Sequence, residues 1–514
     1  MTKSLDYLLV NPSTGGVYHK EQEKSNYPGI EPPYLAALTA TVVRDAGYNP
    51  EILDANADGL SAEDAAKKVY ELKPKYTHVV VHGNQPSASS QLMGWVNSFS
   101  RNIKEGGTDT KIILTGTHPA ALPEMTLKES SIDFVGGGEG FFTALDLLSG
   151  KDLKGVQGLW YKEGKNVLRG PLEKRMNPEE MSKVLRQGAW DLLPMDKYRA
   201  HDWHCLDTPD ERQPYASMYS GFGCGFACAF CCINAPFTEQ GTVKSKIRNR
   251  DSKIVVDEIQ LLREKYGIKN LKFIDEMFVF DRSHYLGIAN GLIERGLNDG
   301  LNIWAYARVD TVKEGHLETL RKAGFNWLVL GIESGSKHVR DGVEKGRFGG
   351  TDIMKTVRSV QNAGIRVLGN YIFGLPDDTM ESMQATLDLA TELNCERPNF
   401  YSAMAYPGSE LHRLAVQRKL PLPPGYDPKR PLLPEEEGGP GWIGYSQHAF
   451  ETYNLPTAHL HSEQVLAFRD KSLSYYTSEP YAGMVERKFG PKVREMFCEV
   501  NAKVPKRKIL GHTK

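Results

Sequence analysis

No stretch of this chain is apolar for long enough to cross a bilayer; its hydrophobic runs fall well short of the roughly 20 residues a membrane helix needs. Nor does one sign of charge prevail. Lys and Arg number 63 against 64 Asp and Glu, a net charge of −1, which removes the bulk electrostatic case for nucleic acid or an anionic membrane. The basic run Pro505-Lys506-Arg507-Lys508 is short and reads as a solvated terminus. Cysteine is scarce: seven residues in 514 do not make a disulfide framework. The opening MTKSLDYLLVNPSTGG has only a brief apolar segment and reads as a first strand, not a signal peptide. These absences predict a cytoplasmic protein without nucleic-acid or membrane partners. The length exceeds one ordinary core, so two to four domains are expected.

The few cysteines are not scattered. Cys224, Cys228 and Cys231 form a C-x-x-x-C-x-x-C run inside MYSGFGCGFACAFCCINAPF. No second C-x-x-C pair accompanies it, which disfavours a four-ligand zinc site. Cys205, Cys395 and Cys498 are isolated, and Cys232 reads as a packed neighbour. Three thiolates on one loop suit three irons of a [4Fe–4S] cluster and leave the fourth iron open. Gly221, Gly223 and Gly225 allow the backbone to turn tightly there, and Phe230 offers an aromatic face beside the third cysteine.

Before this run, apolar segments alternate with helical ones. Strands are predicted at 6–11, 50–54, 77–83, 111–116 and 132–135, with helices at 33–46, 61–72, 87–104, 122–130 and 140–148. The alternation predicts an α/β, doubly wound parallel sheet, Rossmann-like, over residues 1–150. Ligands on such sheets sit at the carboxyl ends of the strands. Those ends carry small and polar residues, so Ser13, Thr14, Asn84, Gln85, Thr117, His118, Gly137, Gly138 and Glu139 are candidate ligand contacts. The run Gly136-Gly137-Gly138-Glu139 opens a helix whose N-terminus could favour an anion. It is not a G-x-G-x-x-G fingerprint, and such glycines can also simply shape turns.

Residues 151–214 read as a connector with short strands near 158–161 and 166–168. Residues 215–410 repeat strand then helix six times, with strands at 216–220, 270–274, 302–308, 327–330, 366–372 and 399–403, which predicts a partial (β/α)6 barrel. Its strand ends carry Asp275-Glu276, Arg308, Glu333-Ser334 and Tyr401 to Met404. Residues 411–514 form a mainly helical C-terminal region, expected to cap the open side of the barrel, with a long Pro- and Gly-rich loop at 420–445. Trp442, Tyr445, His448, Tyr453 and Tyr476 could line a pocket or serve as packing.

The gapless cysteine run resembles the signature of the radical S-adenosylmethionine (SAM) enzymes. The opening NPS, EPPYLAALTATVVRDAGYNPEILDA, TGTHPAALPE and DFVGGGEG resemble the cobalamin-binding domain that precedes the radical domain in one subfamily. Together the two likenesses span roughly residues 1–150 and 215–410. They imply three cofactors: a [4Fe–4S] cluster on the three cysteines, SAM on the open iron, and cobalamin at the first sheet's strand ends. They further imply that Phe230 lies near the adenine, Asp275 and Glu276 meet the amino group, Arg308 meets the carboxylate, and Glu333 meets the ribose hydroxyls or the amino group. An ordinary ion pair is the competing role for each charged residue. The D-x-H-x-x-G motif of a lower cobalt ligand is absent; His82 and His118 fall outside its pattern, which leaves that ligand unassigned. The implied activity is methyl transfer through methylcobalamin to an unactivated carbon, or to phosphorus, of a small molecule or natural product. An external electron donor such as flavodoxin or ferredoxin would supply the electrons. Two alternatives stay open: a cyclase or oxidase without methyl transfer, and a non-catalytic corrinoid or cluster sensor.

Overall fold

The computed structural model describes residues 5–14, 28–83, 88–238, 245–345, 349–420, 422, 441–501 and 504–511. The first sheet holds five parallel strands: β1 (Tyr7–Asn11), β2 (Pro50–Asp54), β3 (Tyr76–Val81), β4 (Lys111–Gly116) and β5 (Phe134–Gly136). Their order is β2-β1-β3-β4-β5. β3, YTHVVV, is buried at every position, as a parallel strand covered on both faces requires. The order reverses between β1 and β3, which opens a crevice at their carboxyl ends. The stretch read as a connector adds an antiparallel hairpin to this sheet, β6 (Leu159–Glu163) and β7 (Asn166–Arg169).

The second sheet begins with β8 (Tyr215–Met218), followed by a two-stranded ribbon of β9 (Gly221–Phe222) and β10 (Arg248–Asn249). It continues through β11 (Asn270–Phe273), β12 (Asn302–Arg308), β13 (Phe325–Glu333), β14 (Arg366–Phe373) and β15 (Arg397–Ser402). All six strands are parallel and neighbour one another in sequence order, and β8 does not pair with β15. This is the open six-unit barrel read from the pattern. Local signals set its helices. The helix Ser252–Tyr266 starts where the Asp251 carboxylate accepts the Lys253 N–H and stops at Gly267, whose φ of 65° is left-handed.

The two halves meet in one hydrophobic cluster. Tyr34, Ala37 and Leu38 of the helix Tyr34–Asp45 pack in the same cluster as the barrel residues Tyr219, Val255 and Ile259. Polar groups cross the same boundary. Glu258 accepts hydrogen bonds from Tyr34 Oη (2.8 Å), Gly188 N (2.7 Å) and Trp190 Nε1 (2.8 Å), and pairs with Arg250 at 2.7 Å. The C-terminal region completes both halves. Gln447 lies along β15, accepting from Ser402 N and Oγ (3.2 and 3.0 Å) and donating to Ser402 O (2.8 Å). Trp442 and Tyr445 join the hydrophobic cluster of the first sheet with Leu92, Val96 and Met125.

Two expectations are corrected here. Arg507 is not a solvated terminal residue: it is fully buried, paired with Asp470 at 3.0 Å and bonded to the Ala449 and Gln447 carbonyls. The N-terminus of the helix Phe141–Leu148 already has an anion, because Glu173 accepts the N–H groups of Gly140 and Phe142 at 3.0–3.1 Å. Burial, then the nearby Glu139, push the Glu173 carboxyl up to about 7 from its ordinary 4.5. The folded value exceeds the unfolded one, so this group's contribution to stability is complete below pH 4.5 and is lost as pH rises through 7. Glu173→Gln is expected to flatten the stability–pH slope across that window by on the order of 1–3 kcal/mol, read by denaturant melts at several pH values. An unchanged slope would remove Glu173 as its source.

Candidate functional site

A cavity of about 360 Å³ lies between the carboxyl ends of both sheets. That volume is within the range of small-molecule sites. Asn11, Val80, His82 and Gly83 reach it from the switch point of the first sheet; Ile274, Glu276, Tyr306, Arg308, Glu333, Asn370 and Tyr401 reach it from the barrel. The cysteine loop forms the wall between them, with Cys224, Cys228, Phe230 and Cys231 all lining the space.

The loop is held by backbone contacts on three sides. Gly223 takes a φ of 86°, and a side chain there would collide with Ser245 Oγ. Cys231 N donates to Cys228 O at 3.0 Å, Ala229 N to Val343 O at 3.0 Å, and Leu411 N to Ala229 O at 2.8 Å. Asn234 grips the first cysteine, accepting from Cys224 N and donating to Cys224 O, each at 3.0 Å. Cys224 is buried, which pushes its thiol up to about 11, so a metal there must displace a proton. Among the described residues no three His, Cys, Asp or Glu side chains converge on one point as a mononuclear site requires. A cluster asks instead for thiolates that each reach a separate iron, and Cys224, Cys228 and Cys231 all line the cavity.

The acidic pair at the end of β11 divides. Asp275 turns away from the cavity and accepts three bonds from Ser220, two from N (3.1 and 2.9 Å) and one from Oγ (2.6 Å). His284 Nε2 meets the same Ser220 Oγ at 2.8 Å. Burial pushes the Asp275 carboxyl up to about 6, while the Ser220 bonds oppose that rise. Glu276 faces the cavity; its buried carboxylate oxygens make no hydrogen bond of good geometry, with Tyr219 and the Gly223 backbone as their polar neighbours. Burial pushes it up to about 8. A buried carboxylate of this kind fits an incoming ammonium group.

Arg308 lies 3.7 Å above the Phe226 ring. Its Nε and Nη2 are taken by Asp310 (3.0 and 3.1 Å), while Nη1 points to Cys228 Sγ at 3.5 Å. Glu333 pairs with Lys345 at 2.7 Å, both buried. Burial opposes the Lys345 charge, but Glu333 and then Cys228 outweigh it and raise its pKa. Glu333 holds a left-handed φ of 65° where the β13–β14 register slips. Such a conformation costs a non-glycine residue about 1–3 kcal/mol and persists only where surrounding contacts impose it.

In the first sheet the predicted contacts scatter. Thr14 is tied to Asn56 Oδ1 by N (3.1 Å) and Oγ1 (2.8 Å), and Ser13 is buried beside it; neither lines the main cavity. Thr117 and His118 are buried away from it, with His118 Nδ1 at 3.0 Å from Ser90 Oγ and its ring edge-on to Trp442 at 4.4 Å. Gly137 borders a separate cleft under Trp160. Gly138 and Glu139 border a small side cavity that shares Val80 and His82 with the main one. Glu139 also pairs with Arg248. Asn84 and Gln85 lie outside the described residues. Trp442, Tyr445, His448, Tyr453 and Tyr476 do not line the main cavity; Tyr406 and Gln447 do.

Sequence reasoning missed Lys345, Tyr219, Tyr306, Asn370, Asn234 and Gln447. It noted His82 only as an unassigned histidine. His82 Nε2 meets Tyr219 Oη at 2.8 Å across the cavity rim, and its Nδ1 is buried without a partner. Burial lowers the His82 pKa to about 4, so the ring is neutral.

The sequence pattern of the radical SAM superfamily matches residues 218–390. An uncharacterized methyltransferase of Pyrococcus horikoshii is 28% identical over 426 residues, 82% of this chain and 85% of its own. The cytidylyl-2-hydroxyethylphosphonate methyltransferase of Streptomyces wedmorensis is 25% identical over 469 residues, 80% of this chain and 82% of its own. The fold is shared with the radical SAM methyltransferase TsrM of Kitasatospora setae, solved with cobalamin and a [4Fe–4S] cluster. The TM-score is 0.68 at 17% identity, over 97% of this chain and all of that one. The cobalamin-dependent radical SAM enzyme OxsB superposes with a TM-score of 0.64 at 14% identity, over 97% of this chain and 71% of its own. Pattern, relatives and fold agree: residues 218–390 form a radical SAM domain, the chain is an enzyme, and it shares the fold of radical SAM enzymes solved with cobalamin.

Proposed function

We propose that the protein is a cobalamin-dependent radical SAM methyltransferase. It acts in the cytoplasm on a small-molecule substrate and draws electrons from a flavodoxin- or ferredoxin-like donor. The observation that carries this reading is the single cavity onto which the cysteine loop, the barrel's charged strand ends and the first sheet's switch point all open. When bound, the cluster and SAM supply a 5′-deoxyadenosyl radical, and cobalamin supplies the methyl group to be transferred.

Cys224, Cys228 and Cys231 would hold the cluster. Glu276 would receive the amino group of SAM, its buried oxygens gaining a well-aligned partner. Arg308 presents Nη1 beside Cys228, fixed in direction by the fork to Asp310, and would meet the SAM carboxylate. Glu333, held by Lys345, would face the ribose. Phe226, Phe230 and Met277 keep that end of the cavity apolar and exclude water from a radical. Asp275 does not touch the cofactor in this reading; it anchors Ser220 beneath the loop. Asn11 and His82 would face the corrin at the strand ends, with the unpartnered His82 Nδ1 available to a polar edge.

Glu276→Gln removes the charge and keeps the shape. SAM affinity is expected to fall roughly tenfold to a hundredfold, the worth of a charge-assisted hydrogen bond of about 1.5–3 kcal/mol, read by equilibrium dialysis on the reconstituted protein. Unchanged affinity would assign Glu276 elsewhere. The reading as a whole is tested by anaerobic reconstitution with cobalamin. About four irons and one corrinoid per chain are expected, followed by transfer of label from methyl-deuterated SAM to product. Four irons without corrinoid would leave a radical enzyme and remove methyl transfer. Both cofactors with an unlabelled product would favour a cyclase or oxidase.

A further inference from the structure

We infer that Asn234 and Ser245 keep the reduction potential of the cluster low by engaging the Cys224 N–H and so withholding it from the cluster sulfurs. This rests on the assignment of the three cysteines to a cluster. Hydrogen bonds donated to cluster and thiolate sulfurs stabilise the reduced, more negative state and raise the potential. In a tight cysteine loop the nearest such donors are the backbone N–H groups of the loop itself. Here the first of them is doubly occupied. Cys224 N donates to Asn234 Oδ1 at 3.0 Å and to Ser245 Oγ at 2.9 Å.

The two acceptors are themselves fixed. Ser245 Oγ donates to Asn234 Oδ1 at 2.7 Å, which turns its lone pair toward the Cys224 N–H. The Asn234 amide nitrogen donates to Cys224 O at 3.0 Å and Phe226 O at 3.3 Å, so the side chain cannot rotate away without losing both. Asn234 is only 8% exposed, out of reach of competing water. The bare Gly223, where a side chain would strike Ser245 Oγ, makes room for this approach. Asn234 is therefore a positioning residue: it touches neither substrate nor reacting atom and acts through the peptide of Cys224.

The test compares the wild-type protein with Asn234→Ala and Ser245→Ala, each reconstituted anaerobically. Iron content is the loading control, and the midpoint potential is read by electron paramagnetic resonance at poised potentials. Asn234→Ala removes one acceptor of the Cys224 N–H and the Oδ1 that orients the other, Ser245 Oγ, and is expected to raise the potential, so that at a fixed poise the reduced-to-oxidised ratio increases about tenfold, equivalent to ~59 mV for one electron. Ser245→Ala leaves the Asn234 bonds in place and is expected to shift in the same direction by less. If Asn234→Ala loses iron, the Ser245→Ala shift decides. An unchanged or lower potential in the loaded variants would overturn the inference. A wild-type protein that binds no cluster would instead overturn the cysteine assignment on which it rests.

Discussion

Replacing Cys224 by Ala is expected to abolish cluster loading and, with it, reductive cleavage of SAM, while corrinoid binding by the first sheet persists. Cys224 is the most constrained of the three thiols: it is buried, and both its backbone N–H and its carbonyl are gripped by Asn234. A flexible neighbour cannot replace it. Cys232 adjoins the run but falls outside the C-x-x-x-C-x-x-C spacing. Iron per chain should therefore fall from about four to a small residue. The Cys232→Ala protein should load normally. Corrinoid binding, followed by its visible spectrum after desalting, should survive in Cys224→Ala because Asn11 and His82 approach the cavity from the opposite sheet. Loss of both cofactors together would contradict two separable binding surfaces, and full iron content would remove Cys224 from the ligand set.

Glu258→Ala should be the most destabilising single change at the junction of the two sheets. Its carboxylate is fully buried and satisfies Tyr34, Gly188, Trp190 and Arg250 at once. Removing it leaves the Arg250 guanidinium charged inside a core, where an unpaired partner typically costs about 3–5 kcal/mol. Because Tyr34 belongs to the first half and Arg250 to the barrel, the loss should lower the melting transition of both halves together. Glu258→Gln keeps one acceptor oxygen, turns the other into a donor that faces donors, and should fall between wild type and Glu258→Ala. Melting followed by circular dichroism and by tryptophan fluorescence checks this, since Trp190 donates directly to the deleted group. A loss below about 1 kcal/mol would place the network among the weakly contributing ion pairs.

How far the sequence could be read differs by level. Strand and helix placement follows from local periodicity, and β12 spans the predicted 302–308. The cysteine loop was legible because its ligands are adjacent in the chain. What failed needed three-dimensional information. Asp275 and Glu276 are consecutive loop residues past the end of β11, where no strand periodicity assigns a side, and composition cannot say which one faces the ligand. Lys345 is 12 positions from Glu333, beyond any local pairing rule, and only the return of the chain after β13 brings them together. The basic C-terminal run looked solvated because its acidic partner, Asp470, is 37 residues away. Trp442 and Tyr445 looked like possible pocket residues because aromatic density carries no address; they cover the first sheet instead.

That last placement bears on how the protein is made. The hydrophobic cluster against the helix Met93–Glu105 is closed by Met404, Trp442 and Tyr445. These residues leave the ribosome several hundred positions after the strands they cover. At about 5–20 residues per second, the first sheet waits on the order of tens of seconds with that flank bare. Although it is translated first, this half is completed only after most of the barrel has been made. Residues 1–150 expressed alone would thus carry a permanent version of an exposure that the full-length chain passes through only during synthesis.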